Sequence, residues 1–568
     1  MPYWIHSLAG MDLLVGLTIT PKTSVRFLNV RWLMGLGIVF ATVNVNADVP
    51  VDNSADIEMG RRIYMEGVLP SGQPLQGKRL GSVQVEGPTA ACESCHRRSG
   101  MGSLEGNVVV PPITGRFLFA EEPQQPMALL DPREAKNVTR THTPYTEITL
   151  ARSIRDGVNV SYKVMNPLMP KYDLSDNEIK AVAAYLRQLS AELSPGVGED
   201  SMQFATIVTP DVSKVQRDAL IGMIQAAFKQ RNASQQNYSG RMRMPIDLIP
   251  RTIRNWELTV WELKGEAGTW SQQLAEYYRR QPVFAVISGI SNTSWGPVDA
   301  FCQQEKLPCI LPSVDLPPTK THFYSLYYSR GVALEAAVLA KHLGLQSKKT
   351  ANRLIQIYRD EALGRCAAQA LANALLDSGI QVENRVYDGQ SISAKSVLKD
   401  LTQQDAVMFW LRPEDLSTLH DAAPKKLAAS LFVSGFMADE NYGFVSKNWR
   451  SQLKVIYPLE LGKGRDKNVT ALKSWLKAWK LPLVDEVMQT EVFFSLLFLT
   501  DLSSQMLDNL YRDYMVERAE DMLSYGSNSS AYPHLSMARG QRFASKGAYI
   551  AHFSRDGKLV PDTQWIVP

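Results

Sequence analysis

The pentapeptide Cys92-Glu93-Ser94-Cys95-His96 carries the most specific chemical signal in this sequence. Two cysteines at this spacing can each form a thioether with one vinyl group of the same haem, and the histidine directly after them then binds the iron through Nε2. A redox-active dithiol or half of a zinc site would use the same cysteine pair. Zinc needs four ligands, and residues 50–195 offer no third cysteine and one further histidine, His142. We therefore expect one covalently bound haem c, attached through Cys92 and Cys95, with His96 as an iron ligand.

The length and composition indicate a globular protein of more than one domain. A chain of 568 residues is too long for one ordinary hydrophobic core, and 45% hydrophobic and 21% charged residues are typical of folded domains. The net charge of +4 gives no reason to expect a nucleic-acid partner. Residues 194–200 are rich in turn formers and mark a boundary between two domains.

The first 47 residues predict an export signal. Basic residues precede an apolar run at residues 32–43, and Val45-Asn46-Ala47 places small residues where a signal peptidase cuts. About twelve apolar residues are too few for a lasting membrane helix, which takes about 20. We expect a cleaved signal at residues 1–47 and a periplasmic mature chain, with membrane attachment only if the signal is not removed.

Two predicted helices enclose the haem-binding residues. In the first, Ile57, Gly60 and Tyr64 share one face. The second begins with a capping box of Ser175 and Glu178 and continues with an apolar stripe: Ile179, Val182, Ala183, Leu186 and Leu189. Together with the pentapeptide, these helices resemble those of a monohaem, class I-like c-type cytochrome. The resemblance implies an all-α cytochrome c domain over residues 48–195, with the two helices crossing closely at the glycine.

The resemblance also implies the sixth ligand of the iron. Met169 forms a Met-Pro pair directly before the capped helix, and this arrangement is similar to the distal-ligand segment of c-type cytochromes. A methionine ligand raises the reduction potential of a histidine-bound haem. Met165 is an alternative distal ligand, and His142 would serve for bis-histidine ligation.

The loops of this domain lead to two further expectations. Residues 111–115, Pro-Pro-Ile-Thr-Gly, resemble the loop that wraps the haem in this family, which implies that a proline carbonyl accepts the Nδ1 proton of His96. Two insertions, residues 67–90 and 118–146, distinguish the domain from the smallest cytochromes. The insertions would either shape a docking face or decorate the fold, and decoration is the interpretation we favour.

The C-terminal domain, residues 203–568 after a linker at 196–202, alternates predicted strands with predicted helices. Such alternation indicates parallel sheets with helices on both faces, an α/β fold. The predicted strands are 204–208, 258–263, 283–287, 354–358, 382–387, 406–410 and 431–434, and the predicted helices include 215–231, 270–278 and 366–376.

Residues 286–290, 306–313 and 358–364 resemble passages of the type I periplasmic binding proteins, which include the branched-chain amino-acid receptors of ABC transporters. The resemblance implies two lobes that close over a small ligand. The implied ligand loops contain Ser291, Asn292, Thr293, Ser294, Ser313 and Asp315, although Ser and Asn at these places are also ordinary helix N-caps. Trp295 and Asp315 are larger than the residues expected there, so the resemblance does not specify an amino acid as the ligand.

The remaining cysteines fit an exported protein. Cys302 and Cys309 can form a short-loop disulfide in an oxidising periplasm. Cys366 then remains as a small, buried, apolar side chain.

These features favour an electron-transfer protein over an enzyme. We expect a periplasmic c-type cytochrome whose second domain serves for docking or ligand sensing, with a periplasmic dehydrogenase or another cytochrome as redox partner. The alternative is a periplasmic solute receptor or sensor in which the haem is a signalling or structural addition. A haem peroxidase, which would need an open sixth position, is a third hypothesis.

Overall fold

The computed structural model describes residues 54–80, 83–106, 108–120, 142–238, 254–345, 353–422, 430–438, 447–450, 452–524 and 530–568. The predicted signal at 1–47 and most of the insertion at 118–146 lie outside these ranges. Residues 53–568 form one compact unit. Within the described ranges, no helix combines the length and the apolar character needed to cross a bilayer.

The described part of the N-terminal domain combines helices with short strands. The helices are α1 (Ser54–Glu66), α2 (Glu93–His96), α3 (Gly115–Phe119), α4 (Glu147–Asp156) and α5 (Asp176–Gln188). The strands are β1 (Gln76–Lys78), β2 (Gln84–Glu86), β3 (Ser103–Glu105), β4 (Val108–Val110) and β5 (Lys171–Tyr172). The expectation of an all-α domain is therefore corrected, because β1 of the first insertion pairs with both β2 and β5, and β3 pairs with β4.

The crossing of α1 and α5 organises this domain, as the sequence predicted. A Cβ atom on Gly60 would lie 2.1 Å from the carbonyl oxygen of Ala181 and 2.9 Å from Cβ of Tyr185. Only glycine allows so close an approach. The rings of Tyr64 and Tyr185 pack beside the crossing with their centroids 5.3 Å apart.

The start of α5 is the predicted capping box. The Glu178 amide donates to Ser175 Oγ over 3.4 Å, and the Ser175 amide donates to Glu178 Oε2 over 2.8 Å. The predicted apolar stripe lies in the core of the domain, together with buried side chains of α1 and α4: Ile63, Leu150, Ile154, Ile179, Val182, Ala183, Leu186 and Leu189. Since burial of such side chains is the main stabilising contribution in a domain of this size, α5 is its central element.

The C-terminal segment begins with a lobe built on a parallel sheet, here called lobe A. Its elements are β6 (Ser201–Val208), α6 (Lys214–Tyr238), β7 (Asn255–Glu262), α7 (Trp270–Arg280), β8 (Ala285–Ile287), β9 (Ile290–Ser294), α8 (Gly296–Gln304), β10 (Cys309–Ile310), β11 (Ser313–Leu316) and β12 (Ser325–Leu326). The strand order is β11-β9-β6-β8-β10-β12, with β7 paired to β6.

A second lobe, lobe B, follows. Its elements are α9 (Val332–Leu345), β13 (Arg353–Tyr358), α10 (Ala362–Ala374), β14 (Gln381–Val386), α11 (Ala394–Val397), β15 (Asp405–Trp410), α12 (Pro413–Ala422), β16 (Ser430–Ser434), α13 (Lys447–Arg450) and β17 (Leu453–Tyr457). After α14 (Gly462–Ala478), α15 (Glu486–Met506) and α16 (Arg512–Ser524), the chain adds β18 (Tyr549–Phe553) and β19 (Leu559–Pro561). The strand order is β14-β13-β15-β16-β17-β18-β19, parallel as far as β17 and antiparallel at β18 and β19.

The chain passes between the lobes after β12, after β17 and after α16. Helix α15 returns to lobe A, where it packs against α6 and β8. Helix α16 packs beside α15, and the chain then runs through residues 530–548 to β18 of lobe B. The described chain therefore joins the two lobes through several segments.

The predicted strands of this segment all have observed counterparts, whose ends differ by at most three residues. The Cys302–Cys309 disulfide is present, with Cα atoms 6.3 Å apart. Cys366 is half-buried on α10, rather than buried as expected. Its place on the outer part of the helix explains the difference, because its neighbours Leu363 and Ala367 take the buried positions.

Candidate haem site

The two cysteines and the histidine of the pentapeptide line one cavity of about 950 Å³. Its walls are largely apolar, and each of the five described helices α1 to α5 contributes residues to them. The lining residues include Tyr64, Leu75, Pro111, Ile113, Phe117, Leu150, Ile154, Tyr172, Val182 and Leu186. A largely apolar cavity of roughly 300–1,000 Å³ is the usual size of a cofactor site. Cys92 and Cys95 are both free thiols and are not joined to each other.

The imidazole of His96 is buried and oriented. Its Nδ1 lies 2.9 Å from the carbonyl oxygen of Pro111, the hydrogen bond predicted from the Pro-Pro loop. Burial lowers the pKa of His96 to about 4, so the ring is neutral at pH 7. A proton on Nδ1 that bonds a backbone carbonyl leaves Nε2 as the nitrogen available to a metal.

The backbone around the pentapeptide is held by local hydrogen bonds. The Gly102 amide donates to the His96 carbonyl over 3.0 Å, and Ser103 Oγ donates to the Cys95 carbonyl over 2.8 Å. The short helix α2 is thereby fixed against the following loop. Two free thiols, an oriented imidazole and a largely apolar cavity together fit a covalently attached haem.

All three predicted candidates for the distal ligand line the same cavity. Met169 and Met165 are half-buried, and His142 is placed edge-on to Tyr145 with ring centroids 5.3 Å apart. The Met169 amide donates to the Asn166 carbonyl over 2.9 Å, which fixes a turn just before Pro170. All three side chains thus lie at one cavity, and the structure does not distinguish which of them is the distal ligand.

The residues directly after His96 form a buried ionic contact with α16. Arg97 Nη2 lies 2.5 Å from Glu520 Oε2, and the other oxygen of Glu520 lies 2.5 Å from Arg542 Nη1. Ser99 donates to Glu517 from both its amide, over 3.1 Å, and its hydroxyl, over 2.5 Å. The second domain therefore contacts the haem-attachment segment itself.

Further contacts extend this surface. Arg539 Nη2 donates to the Glu93 carbonyl over 2.8 Å and to the Glu93 carboxylate over 2.9 Å, and Arg539 also bonds the Ser94 carbonyl. Met101 and Phe117 are buried in the same hydrophobic cluster as Tyr514 of α16. Sequence reasoning missed this interface, since its charged partners are more than 400 positions apart and share no motif.

The polar residues predicted for a ligand between the lobes lie at the edge of lobe A formed by β9 and β11, but they bond within the protein. Asn292 bonds Asp211 through its backbone amide, over 2.7 Å, and through its side-chain amide, over 3.2 Å. Asp315 forms an ion pair of 3.1 Å with Arg412 of lobe B. Ser291 accepts from the Thr293 amide, and Ser294 from the Gly296 amide.

A buried carboxyl that the sequence did not single out lies beside Ser313. Burial raises the pKa of Glu491 on α15 to about 7, while hydrogen bonds with Ser313 and Tyr532 oppose the rise. The Tyr532 hydroxyl donates to Glu491 Oε1 over 2.9 Å. Ser313, one of the residues predicted to bind a ligand, therefore forms its hydrogen bond with the Glu491 side chain of the protein itself.

Comparison with known proteins found one matching family model and several similar solved structures. Residues 87–190 match the family model described as Cytochrome c. Solved structures similar to the chain include a branched-chain amino acid ABC transporter protein from Thermus thermophilus with bound valine (10% identity, TM-score 0.49, covering 65% of this chain and 97% of that chain). A fatty acid ABC transporter substrate-binding protein from Thermomonospora curvata is 13% identical, with a TM-score of 0.46 and coverage of 66% of this chain and 95% of that chain.

A substrate-binding periplasmic protein from Ralstonia solanacearum is similar at 12% identity, with a TM-score of 0.46 and coverage of 64% of this chain and 100% of that chain. Comparison with curated proteins gave no match. The predicted fusion is supported: residues 87–190 match the cytochrome c family, which implies covalently bound haem, and the chain is similar to solved type I periplasmic binding proteins.

Proposed function

We propose that this protein is a periplasmic electron carrier, rather than an enzyme, and that it uses one haem attached through Cys92 and Cys95. The iron would be held by His96 and Met169. The observation that carries the proposal is the convergence of both thiols and the oriented imidazole on one largely apolar cavity. A haem held in this way supplies one-electron redox chemistry at a potential that the methionine raises.

The residues around the cavity suit this role. The Pro111 carbonyl keeps His96 in one tautomer, and the apolar walls limit the access of water to the iron ligands. The buried contact with α16 keeps the residues next to His96 in place. A rigid site favours electron transfer because the surroundings rearrange little when the charge changes. The redox partner would be a periplasmic dehydrogenase or another cytochrome.

Substitution of the distal methionine tests the ligand set. We expect Met169→Ala to remove the weak sulfur-to-iron absorption band of the oxidised protein. We also expect a lower reduction potential, by more than about 100 mV within the roughly 0.8 V over which axial ligands tune haem. Met165→Ala and His142→Ala, which change the other two candidates in the same cavity, should keep both properties.

Two outcomes would contradict this assignment. Loss of the band in Met165→Ala, with retention in Met169→Ala, would move the distal ligand to Met165. A wild-type protein that lacks the band, with a spectrum unchanged in all three variants, would indicate an open sixth position, the state that a haem peroxidase needs.

A second function, ligand sensing, is favoured by the path of the chain between the lobes. Residues 530–548 connect α16 to lobe B. Arg539 of this segment bonds Glu93 of the haem-attachment pentapeptide, and Arg542 bonds Glu520, the partner of Arg97. The carbonyl of Arg542 also accepts from the Tyr327 amide over 2.8 Å, next to the first connection between the lobes. Movement of the lobes would therefore displace charges beside the haem, which would couple ligand binding to the reduction potential.

This coupling has a thermodynamic signature. A ligand that binds the reduced and oxidised forms with different affinity shifts the potential by about 59 mV for each tenfold ratio of affinities. Amino acids, short organic acids and alcohols would be screened by calorimetry, and each ligand found would be tested in a redox titration. We expect a shift in the wild-type protein that is reduced in Arg539→Ala. A ligand that binds without moving the potential would contradict the sensing role.

A further inference from the structure

The insertion at residues 67–90, interpreted from the sequence as decoration, lies against the segment that carries Met169. Its two strands, β1 and β2, form a hairpin. We call residues 75–80 and 83–87, which contain these strands, the brace hairpin. On one edge β1 pairs with β2, and on the other edge β1 pairs with β5. Strand β5 begins two residues after Met169.

The brace hairpin bonds the chain on both sides of Met169. After the methionine, Gly77 is paired with Tyr172, and Lys78 with Lys171. Before the methionine, the Leu80 amide donates to the Pro167 carbonyl over 3.2 Å. A methionine whose two flanks bond the same hairpin has little freedom to leave the cavity.

Packing at Gly77 makes this contact close. A Cβ atom at this position would lie 2.9 Å from Cε1 of Tyr172 and 3.0 Å from Cβ of Pro170, the residue after Met169. Gly77 is buried, whereas its neighbours Gln76 and Lys78 are exposed. The backbone of the hairpin thus lies directly on the Met-Pro segment, and any side chain at Gly77 would push that segment away.

The hairpin is itself anchored on the side of the cavity that carries the thiols. Leu75 is buried in the core, and its amide donates to the Gly67 carbonyl over 2.7 Å. Arg79 Nη2 lies 3.8 Å from Cys95 Sγ, and the buried Nε of Arg79 has no hydrogen-bond partner in the described part of the chain. One short segment therefore contacts both the methionine loop and the haem-attachment residues.

We propose that the brace hairpin is the positioning element that holds Met169 in the cavity as the distal ligand. This inference rests on the proposed function, because it takes Met169 to be that ligand. Gly77 acts through close packing on Pro170, and Leu80 acts through its backbone amide. Neither residue touches the cavity, so both are positioning residues.

Two independent variants of the full-length haem protein test the proposal. Gly77→Val inserts a branched side chain between the hairpin and Pro170. Leu80→Pro removes the amide that bonds the Pro167 carbonyl without adding bulk at the contact. The matched controls are Gln76→Val, which adds the same side chain at the exposed neighbouring position, and Leu80→Ala, which removes the side chain but keeps the amide.

The readouts are the sulfur-to-iron band and the affinity of the oxidised protein for imidazole, which must displace the distal ligand. We expect imidazole to bind about fivefold more tightly in Leu80→Pro, the factor that corresponds to one lost hydrogen bond of about 1 kcal/mol. For Gly77→Val we expect about tenfold or more, with a weakened band. Both controls should bind imidazole as the wild type does.

The outcomes separate this inference from the proposed function. If the wild type shows the band and Met169→Ala loses it, but Gly77→Val and Leu80→Pro bind imidazole as the wild type does, the brace is refuted and the ligand assignment stands. If Met169→Ala keeps the wild-type band, the ligand assignment and the brace both fail. Should Gly77→Val not fold, Leu80→Pro decides alone.

Discussion

Replacing Cys92 and Cys95 together by alanine is expected to give a protein without covalently attached haem. Both thiols line the cavity and are free, so each is available for a thioether. Without these bonds, a haem could be held only by its iron ligands and apolar contacts, and denaturation would release it. The measurement is the haem absorption that stays with the polypeptide after denaturation and gel filtration, which we expect to fall to background.

Cys366→Ala is the matched control for this experiment. Cys366 is also a free thiol, but it lies half-buried on α10 of lobe B, away from the cavity. We expect this variant to retain all of its covalent haem. Haem that remains attached in the double variant, or that is lost in the control, would contradict the assigned attachment site.

Replacing Glu520 by glutamine is expected to destabilise the folded chain by about 3–5 kcal/mol, the usual cost of removing one partner from a buried ion pair. Glu520 is 2% exposed and accepts from two arginines, Arg97 and Arg542, which are 5% and 7% exposed. A neutral amide would remove the carboxylate that the two buried guanidinium groups share. Arg542 would lose its carboxylate partner, whereas Arg97 would keep Glu517 and Asp521 nearby. Urea unfolding at pH 7, followed by tryptophan fluorescence, measures the change in the free energy of unfolding.

An exposed ion pair provides the control. Glu58 bonds Arg61 over 2.8 Å on the outer face of α1, where the Glu58 side chain is 59% exposed. Glu58→Gln should leave the free energy of unfolding close to that of the wild type, because an exposed ion pair contributes little to stability. If Glu520→Gln were no more destabilising than Glu58→Gln, the buried contact between α16 and the haem-attachment segment would not exist in solution.

The sequence predicted the features that depend on local patterns. The helix period placed Gly60 on the apolar face of α1, and the capping box located the start of α5. The resemblance to c-type cytochromes then implied that the two helices cross closely at this glycine. The bond from His96 to a proline carbonyl was implied by the resemblance of residues 111–115 to the loop that wraps the haem in c-type cytochromes. The strands and helices of the two lobes were also predicted from local patterns, because runs of β-branched residues alternate with apolar stripes of helical period.

The features that depend on distant contacts could not be predicted. Arg97 and Glu520 are 423 positions apart in the chain, and neither is distinguished from other charged residues in the sequence. The pairing of β1 with β5 brings two- and three-residue strands together, which are too short to show a period of two. Because this pairing was not visible in the sequence, we interpreted the 67–90 insertion as decoration. The pairing with β5 is the basis for proposing the brace hairpin instead.

The central claim is most directly tested by the intact mass of the exported wild-type protein, measured under denaturing conditions. The account predicts the mass of the mature polypeptide plus one haem, with Cys92 and Cys95 unavailable to thiol reagents. A bare polypeptide mass with both thiols reactive would contradict it.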